Sequence, residues 1–222
     1  MKKTKKKTTD IKPTLIAFLL DRTGSMEVCK KETITGFNRY VEALEKGDKE
    51  GTVRFTLTQF DSQSIDLLDD AVPLNKVTVL SEANFQPRGM TPLHDAIGKT
   101  IRATELKAGK CYKVLFVTLT DGQENASTEW NADSIKKLMK EKEANEGWTF
   151  AHIGVGADGW AATTRLAQGT LSAANFVHVT PQNGGRAMNS TAQASVAYMA
   201  DTSSGTVKKF YAGHKEQDDD AT

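Results

Sequence analysis

Residues 14–26 read TLIAFLLDRTGSM. The first seven are almost wholly apolar, which suits a strand covered on both faces, as in the parallel sheets of α/β proteins. The run ends on Asp21 and breaks at once into small polar residues around Gly24. Sheets of this class bind ligands in the crevice beyond the carboxyl ends of their strands, and Asp21 stands at such an end. Asp21, Thr23 and Ser25 alternate, so an extended loop turns all three to one side. One carboxylate and two hydroxyls, with no Cys or His among them, suit a hard divalent cation better than zinc. A plainer reading has these residues cap the next helix, as Asp, Thr and Ser do at strand ends. The downstream sequence weighs between the two.

Working outward, Ile34, Phe37, Val41 and Leu44 recur at helical spacing within 26–45, and Gly47 and Gly51 close that helix. Over 53–60, Val53, Phe55 and Leu57 alternate with Arg54, Thr56 and Thr58, which predicts a strand with one polar face. The short link at 61–64 predicts a hairpin to a weaker strand over 65–72, an antiparallel edge on an otherwise parallel sheet. A loop over 84–92 leads to a helix over 93–107, striped by Leu93, Ile97 and Ile101. Lys113–Thr120, KVLFVTLT, is a second central strand and runs directly into Asp121. Helices over 134–146, 159–168 and 186–200 alternate with strands over 148–155 and 176–179. Phe210 and Tyr211 are the last residues able to pack back. With no internal repeat and no linker, this order predicts one α/β domain over 14–211: a three-layer, Rossmann-like doubly wound sheet, mostly parallel. A basic flexible tail over 1–13 and an acidic one over 212–222 flank it.

Two further loops join the first. Thr91, in GMTPL, precedes the helix at 93, with Pro92 where a missing amide donor costs nothing. Asp121, in TDG, ends its strand as Asp21 does. If both strands are central and parallel, Asp21, Thr23, Ser25, Thr91 and Asp121 meet at one edge as a cation site with a sixth position for water or a guest. The ordered triple DRTGS, GMTPL, TDG resembles the von Willebrand factor type A domain, and the three segments look like its metal-ion-dependent adhesion site. The likeness covers roughly 14–200. Thr23 stands where the adhesion receptors have Ser, and the Thr-Gly-Ser form is similar to many microbial and phage members. The resemblance implies a Mg²⁺ site, with Mn²⁺ or Ca²⁺ able to substitute, that binds a protein partner through that partner's Glu or Asp. It further implies partners such as an AAA+ ATPase or another protein encoded in the same operon.

Of 222 residues, 38% are hydrophobic and 26% charged, and the net charge is +1, so no overall field draws in nucleic acid or membrane. No stretch approaches the roughly 20 apolar residues that span a bilayer. The basic start followed by 14–20 imitates a signal peptide. Pro13, the shortness of the apolar run and the lack of a cleavage site argue against one, and a cytoplasmic location is expected. Cys29 and Cys111 fall at opposite edges of the expected sheet, too far apart for a disulfide. The rival function is a Mg²⁺-dependent phosphohydrolase of the haloacid dehalogenase type, but its Asp-x-Asp-x-Thr pattern fails at Thr23. No Gly-x-Ser-x-Gly elbow and no phosphate-binding Gly-x-x-x-x-Gly-Lys loop occurs. A structural protein with an idle metal site is the third reading. The expectation is a non-enzymatic binding module.

Overall fold

In the computed structural model, which describes residues 12–203 and 205–213, β1 (Thr14–Asp21) is buried along its whole length. It lies between β2 (Arg54–Phe60) and β4 (Lys113–Thr120) and runs parallel to both. The sheet is completed by β3 (Ile65–Pro73), antiparallel to β2, and by β5 (Thr149–Val155) and β6 (Phe176–Val179), both parallel. The order is β3-β2-β1-β4-β5-β6. The chain winds outward from β1 to β3, then crosses back to β4 and winds the other way. β1 and β4 are therefore neighbours where the winding reverses, the place where such sheets leave a crevice at their carboxyl edge.

Helices cover both faces because β1 is apolar on both. Ile16, Phe18 and Leu20 point into a core shared with α1 (Lys30–Gly47) and α5 (Gly184–Ala200). Leu15, Ala17 and Leu19 point into a second core under α2 (Leu93–Ala108), α3 (Ala132–Glu146) and α4 (Gly156–Ala167). Phe18 anchors the first core, its ring centroid 5.3 Å from Phe37, 5.4 Å from Tyr40 and 6.2 Å from Phe55. Burying one such side chain contributes about 1.5–3 kcal/mol, so these contacts hold the strand that carries Asp21 firmly in place.

Two expectations need correction. The polar face assigned to β2 is covered, with Thr56 and Thr58 buried. Thr56 Oγ1 accepts a hydrogen bond from Ala71 N–H at the irregular β2–β3 pairing, so this hydroxyl serves the sheet rather than solvent. The first helix also begins later. Gly24–Cys29 form a 3-10 turn and α1 starts at Lys30. Its buried positions are Thr33, Gly36, Phe37, Tyr40 and Leu44, while Ile34 and Val41 are half-buried flanks. The face is rotated because α1 lies against α5 as well as the sheet. Tyr40 Oη is 3.1 Å from Ser195 Oγ, and a Cβ at Gly36 would stand 3.0 Å from Met188 Cγ.

Smaller differences concern element ends. β3 runs to Pro73, α4 begins at Gly156 and Pro92 is the residue before α2 rather than its first. Phe210 and Tyr211 are buried, with Tyr211 Oη 3.1 Å from Thr191 Oγ1 of α5. Cys29 is buried, Cys111 is exposed and both are unpaired. No helix among the described residues is long and apolar enough to cross a membrane. The tails expected at 1–13 and 212–222 fall almost wholly outside the described residues.

His152 of β5 faces the second core, in register with Thr118 on one side and Phe176 on the other. It is 1% exposed, and among the described residues neither ring nitrogen has a hydrogen-bond partner. Burial pushes the imidazole from 6.5 down to about 4. The folded value lies below the unfolded one, so the unfolded chain takes up the proton first as pH falls. Stability is intact above about pH 6.5 and declines toward pH 4, by about 2 kcal/mol between about pH 7.5 and pH 5. His152→Leu is expected to remove that loss in urea unfolding at the two pH values. An unchanged acid slope would show that another group carries it.

Candidate metal centre

The five side chains singled out above come to one edge of the sheet. Asp21 ends β1 with no exposed surface, Thr23 and Thr91 are buried, and Ser25 is exposed. Asp121 follows β4, the strand beside β1, and is half-buried. Thr23 N–H donates to Asp21 Oδ1 at 2.7 Å, and the Thr120 hydroxyl donates to Asp21 Oδ2 at 2.6 Å. Thr23 Oγ1 lies 3.3 Å from Ser25 Oγ, which donates to Asp121 Oδ1 at 2.7 Å. Four of the five are thus joined in one chain of contacts.

Thr91 joins them across Gly122. A Cβ built on Gly122 would stand 3.2 Å from Thr91 Oγ1 and 3.4 Å from Ser25 Oγ. The missing side chain leaves a small cradle walled by two hydroxyls, with Asp121 one residue before it. Electrostatics point the same way. Burial pushes the Asp21 carboxyl from 3.8 up to about 7 against its hydrogen bonds from Thr120 and Thr23, and the charge of Asp121 adds to the rise. Burial likewise raises Asp121, with Asp158 adding its charge. Among the described residues the charges named as acting on the two carboxyls are those of further carboxylates, Asp121 on Asp21 and Asp158 on Asp121. Two carboxylates, three hydroxyls, no thiolate and no imidazole form an oxygen set that fits a hard divalent cation, which would relieve both.

Residues beyond the ligand pattern hold it in shape. Asn125 clamps Thr91 from both sides, its Oδ1 accepting from Thr91 N–H at 2.8 Å and its own N–H donating to Thr91 O at 3.1 Å. Glu124 accepts from the N–H groups of His94, Ala126 and Ser127, and Asp95 from those of Thr128, Glu129 and Trp130. The start of α2 is thereby stitched to the loop after β4. Gln123, Glu124 and Asn125 do not cap the next helix. Asn131 and Ser134 do so with a reciprocal capping box. Gly159 lets α4 approach closely, since a Cβ there would stand 2.5 Å from Thr120 O.

Trp160 is 37% exposed and lies edge-on to Phe176 with centroids 4.7 Å apart, whereas Trp130 is half-buried against Gly98 of α2. Sequence reasoning passed over Thr120 and Gly122 as functional residues. Strand alternation carried a signal for Thr120, which shares with Thr118 the face opposite Leu119.

No family model matches the sequence, and no curated protein does. Solved structures do. Proximal thread matrix protein 1 from the mussel byssus is 20% identical, with 79% of this chain and 46% of that one covered and a TM-score of 0.58. A further structure of that protein has its MIDAS motif occupied by zinc. The vWF domain of the type V pili tip protein Mfa5 from Porphyromonas gingivalis is 14% identical over 87% of this chain and 98% of that one, with a TM-score of 0.60. The pilus adhesin SpaC from Lactobacillus rhamnosus GG, in its open conformation, is 13% identical over 85% of this chain and 30% of that one, with a TM-score of 0.64. The match thus spans about half the length of the mussel protein and under a third of SpaC. At these identities the likeness is one of architecture, and it agrees with the strand order and the single antiparallel edge described above. The chain has the fold of the von Willebrand factor type A domain.

Proposed function

We propose that this chain is a non-enzymatic, metal-dependent protein-binding module. Its site takes Mg²⁺, with Mn²⁺ or Ca²⁺ able to substitute, and accepts a Glu or Asp from a protein partner. The observation that carries this reading is the convergence of three hydroxyls and two carboxylates at the edge where the winding of the sheet reverses, with Thr91 and Ser25 facing each other across Gly122. When bound, the cation supplies an electrophilic position for an incoming carboxylate, and the hydroxyl donors leave part of its charge unscreened.

The chain's own residues divide the work. Ser25, Thr91 and Asp121 stand around the cradle. Asp21, its oxygens held by Thr23 and Thr120, is linked to Gly122 through the Thr120 hydroxyl. Rigid strands on two buried cores hold these loops to the geometry a small cation demands. The zinc-occupied motif in a protein of the same fold supports a divalent ion here, and the adhesin and matrix proteins among the neighbours support binding rather than turnover. The two unpaired thiols support a cytoplasmic setting, and a partner such as an AAA+ ATPase or another protein encoded in the same operon fits the reading.

Calorimetric titration with Mg²⁺, followed by affinity capture from the native host in Mg²⁺ and in EDTA, tests it. The expected result is saturable Mg²⁺ binding and a partner retained in Mg²⁺ and lost in EDTA. A partner held equally in both would place the interface elsewhere and leave the metal structural or idle.

A further inference from the structure

Arg22 stands between two of the proposed ligands, and the ligand pattern gives it no role. Its residue is 8% exposed, and its guanidinium reaches into the β2–β3 turn. Nε donates to Asp61 Oδ2 at 2.9 Å and Nη1 to Gln59 Oε1 at 3.2 Å. Nη2 donates to Ser64 Oγ at 3.0 Å and to Asp66 Oδ2 at 2.8 Å. Arg88, from the loop that carries Thr91, meets the same groups. Its Nε donates to Asp61 Oδ2 at 2.9 Å and its Nη2 to Ser64 Oγ at 3.2 Å.

The main chain closes the same joint. Arg22 N–H donates to Phe60 O at 2.9 Å, Arg88 N–H to Arg22 O at 3.0 Å and Gly24 N–H to Gly89 O at 3.1 Å. Met90 N–H donates to Ser62 Oγ at 2.9 Å. Asp61, whose side chain is fully buried, also accepts from Gln63 and Ser64 N–H. Two guanidiniums and two carboxylates balance in charge, so the cluster adds no net positive field beside a cation site.

We propose that Arg22 is a positioning residue: through Asp61 it fastens the 88–91 loop to the 21–25 loop and so sets the distance of the Thr91 hydroxyl from Ser25 and Asp121. The inference deepens the metal-dependent reading and rests on it for the affinity change it predicts. The physical case is geometric. Thr91 sits at the end of a stretch without strand or helix between Val77 and Pro92, where Gly89 takes φ 68°. Asn125 holds Thr91 on its β4 side, and the Arg22–Asp61–Arg88 joint holds the same loop from the β2 side. Only a planar fork with several fixed donors satisfies Gln59, Asp61, Ser64 and Asp66 together, which a lysine ammonium cannot do.

The test is hydrogen exchange on the metal-free protein, paired with Mn²⁺ titration. Arg22→Met combined with Asp61→Asn removes both charges, so neither is left buried without its partner. Amides at 88–91 are expected to exchange at least about tenfold faster while those of β1, β4 and β5 keep their protection, and Mn²⁺ affinity is expected to fall about tenfold. Arg22→Lys should fall between. Should the double variant fail to fold, Arg88→Gln, which leaves the pair of Arg22 with Asp61 intact, carries the same expectation for 88–91.

Unchanged exchange at 88–91, or a rise shared equally by the whole sheet, overturns the proposal, because a merely structural arginine would lower protection everywhere. Wild-type protein that takes up no Mn²⁺ overturns the metal reading instead. The two failures are told apart because the exchange arm is run without metal.

Discussion

Asp21→Asn is expected to abolish Mg²⁺ binding and, in the same protein, to make the metal-free fold more stable. The two effects share one cause. Asp21 is fully buried, its two oxygens accept from Thr23 N–H and Thr120 Oγ1, and among the described residues no cationic side chain pairs with it. Burying a carboxylate without a counter-charge is costly, and a fold keeps one where a bound ion relieves it. Asparagine has the same shape. Its Oδ1 would keep the Thr23 hydrogen bond, and its amide would donate to Thr120 Oγ1, whose proton could turn to Gly122 O, now 3.3 Å away.

The sign follows from the raised carboxyl. Its folded value of about 7 lies above the ordinary 3.8. The folded carboxyl therefore keeps its proton where the unfolded one has lost it, and that contribution disappears as pH rises through about 7. Asn should change stability little near pH 4 and raise it by about 2–4 kcal/mol near pH 8 in EDTA. Calorimetric titration should show Mg²⁺ affinity lower by about 100-fold or more. Normal Mg²⁺ binding by the variant would remove Asp21 from the site. A variant less stable than wild type near pH 8 would mean that a counter-charge compensates the buried carboxylate.

The fold was legible wherever the pattern is local. The six apolar residues before Asp21 and the run KVLFVTLT before Asp121 each identify a doubly covered strand, and both strands are central. The hairpin at 61–64 was legible because a short polar link joins two strand-like runs. What was hidden depends on contacts distant in sequence. The buried face of α1 is set partly by α5, through Tyr40 and Ser195, 155 residues apart. Thr56 and Thr58 read as a solvent face because only the folded layers show that they are covered.

The candidate site divides the same way. Asp21, Thr23, Ser25, Thr91 and Asp121 stand out because oxygen side chains follow strand ends or precede a helix. Nothing in DRTGS marks Arg22, since its partners lie 37 to 44 residues onward. Asn125 could be seen as a neighbour of Asp121, but its grip on Thr91 spans 34 residues and two loops.

Gly122→Ala should separate the metal from the fold more cleanly still. The backbone at Gly122 is not among the positive-φ positions, so alanine can adopt its conformation. The added methyl would meet Thr91 Oγ1 at 3.2 Å, Ser25 Oγ at 3.4 Å and Thr91 Cγ2 at 3.8 Å. These contacts are close but bearable, and alanine also reduces the freedom of the unfolded chain, so stability in EDTA should stay within about 1 kcal/mol of wild type. The same methyl fills the space between the two hydroxyls. A small cation needs its oxygens at about 2.0–2.1 Å, which Thr91 and Ser25 cannot both offer with a carbon between them. Mg²⁺ and Mn²⁺ affinity should therefore fall by about 100-fold or more, while the urea midpoint in EDTA moves by no more than that difference of about 1 kcal/mol allows. Gln123→Ala, one residue further and exposed, should bind metal as wild type does. If Gly122→Ala retained full affinity, the ion would not lie between Thr91 and Ser25. If Asp21→Asn alone abolished binding, the site would be drawn around the two carboxylates, and the three-loop arrangement proposed above would lose its support.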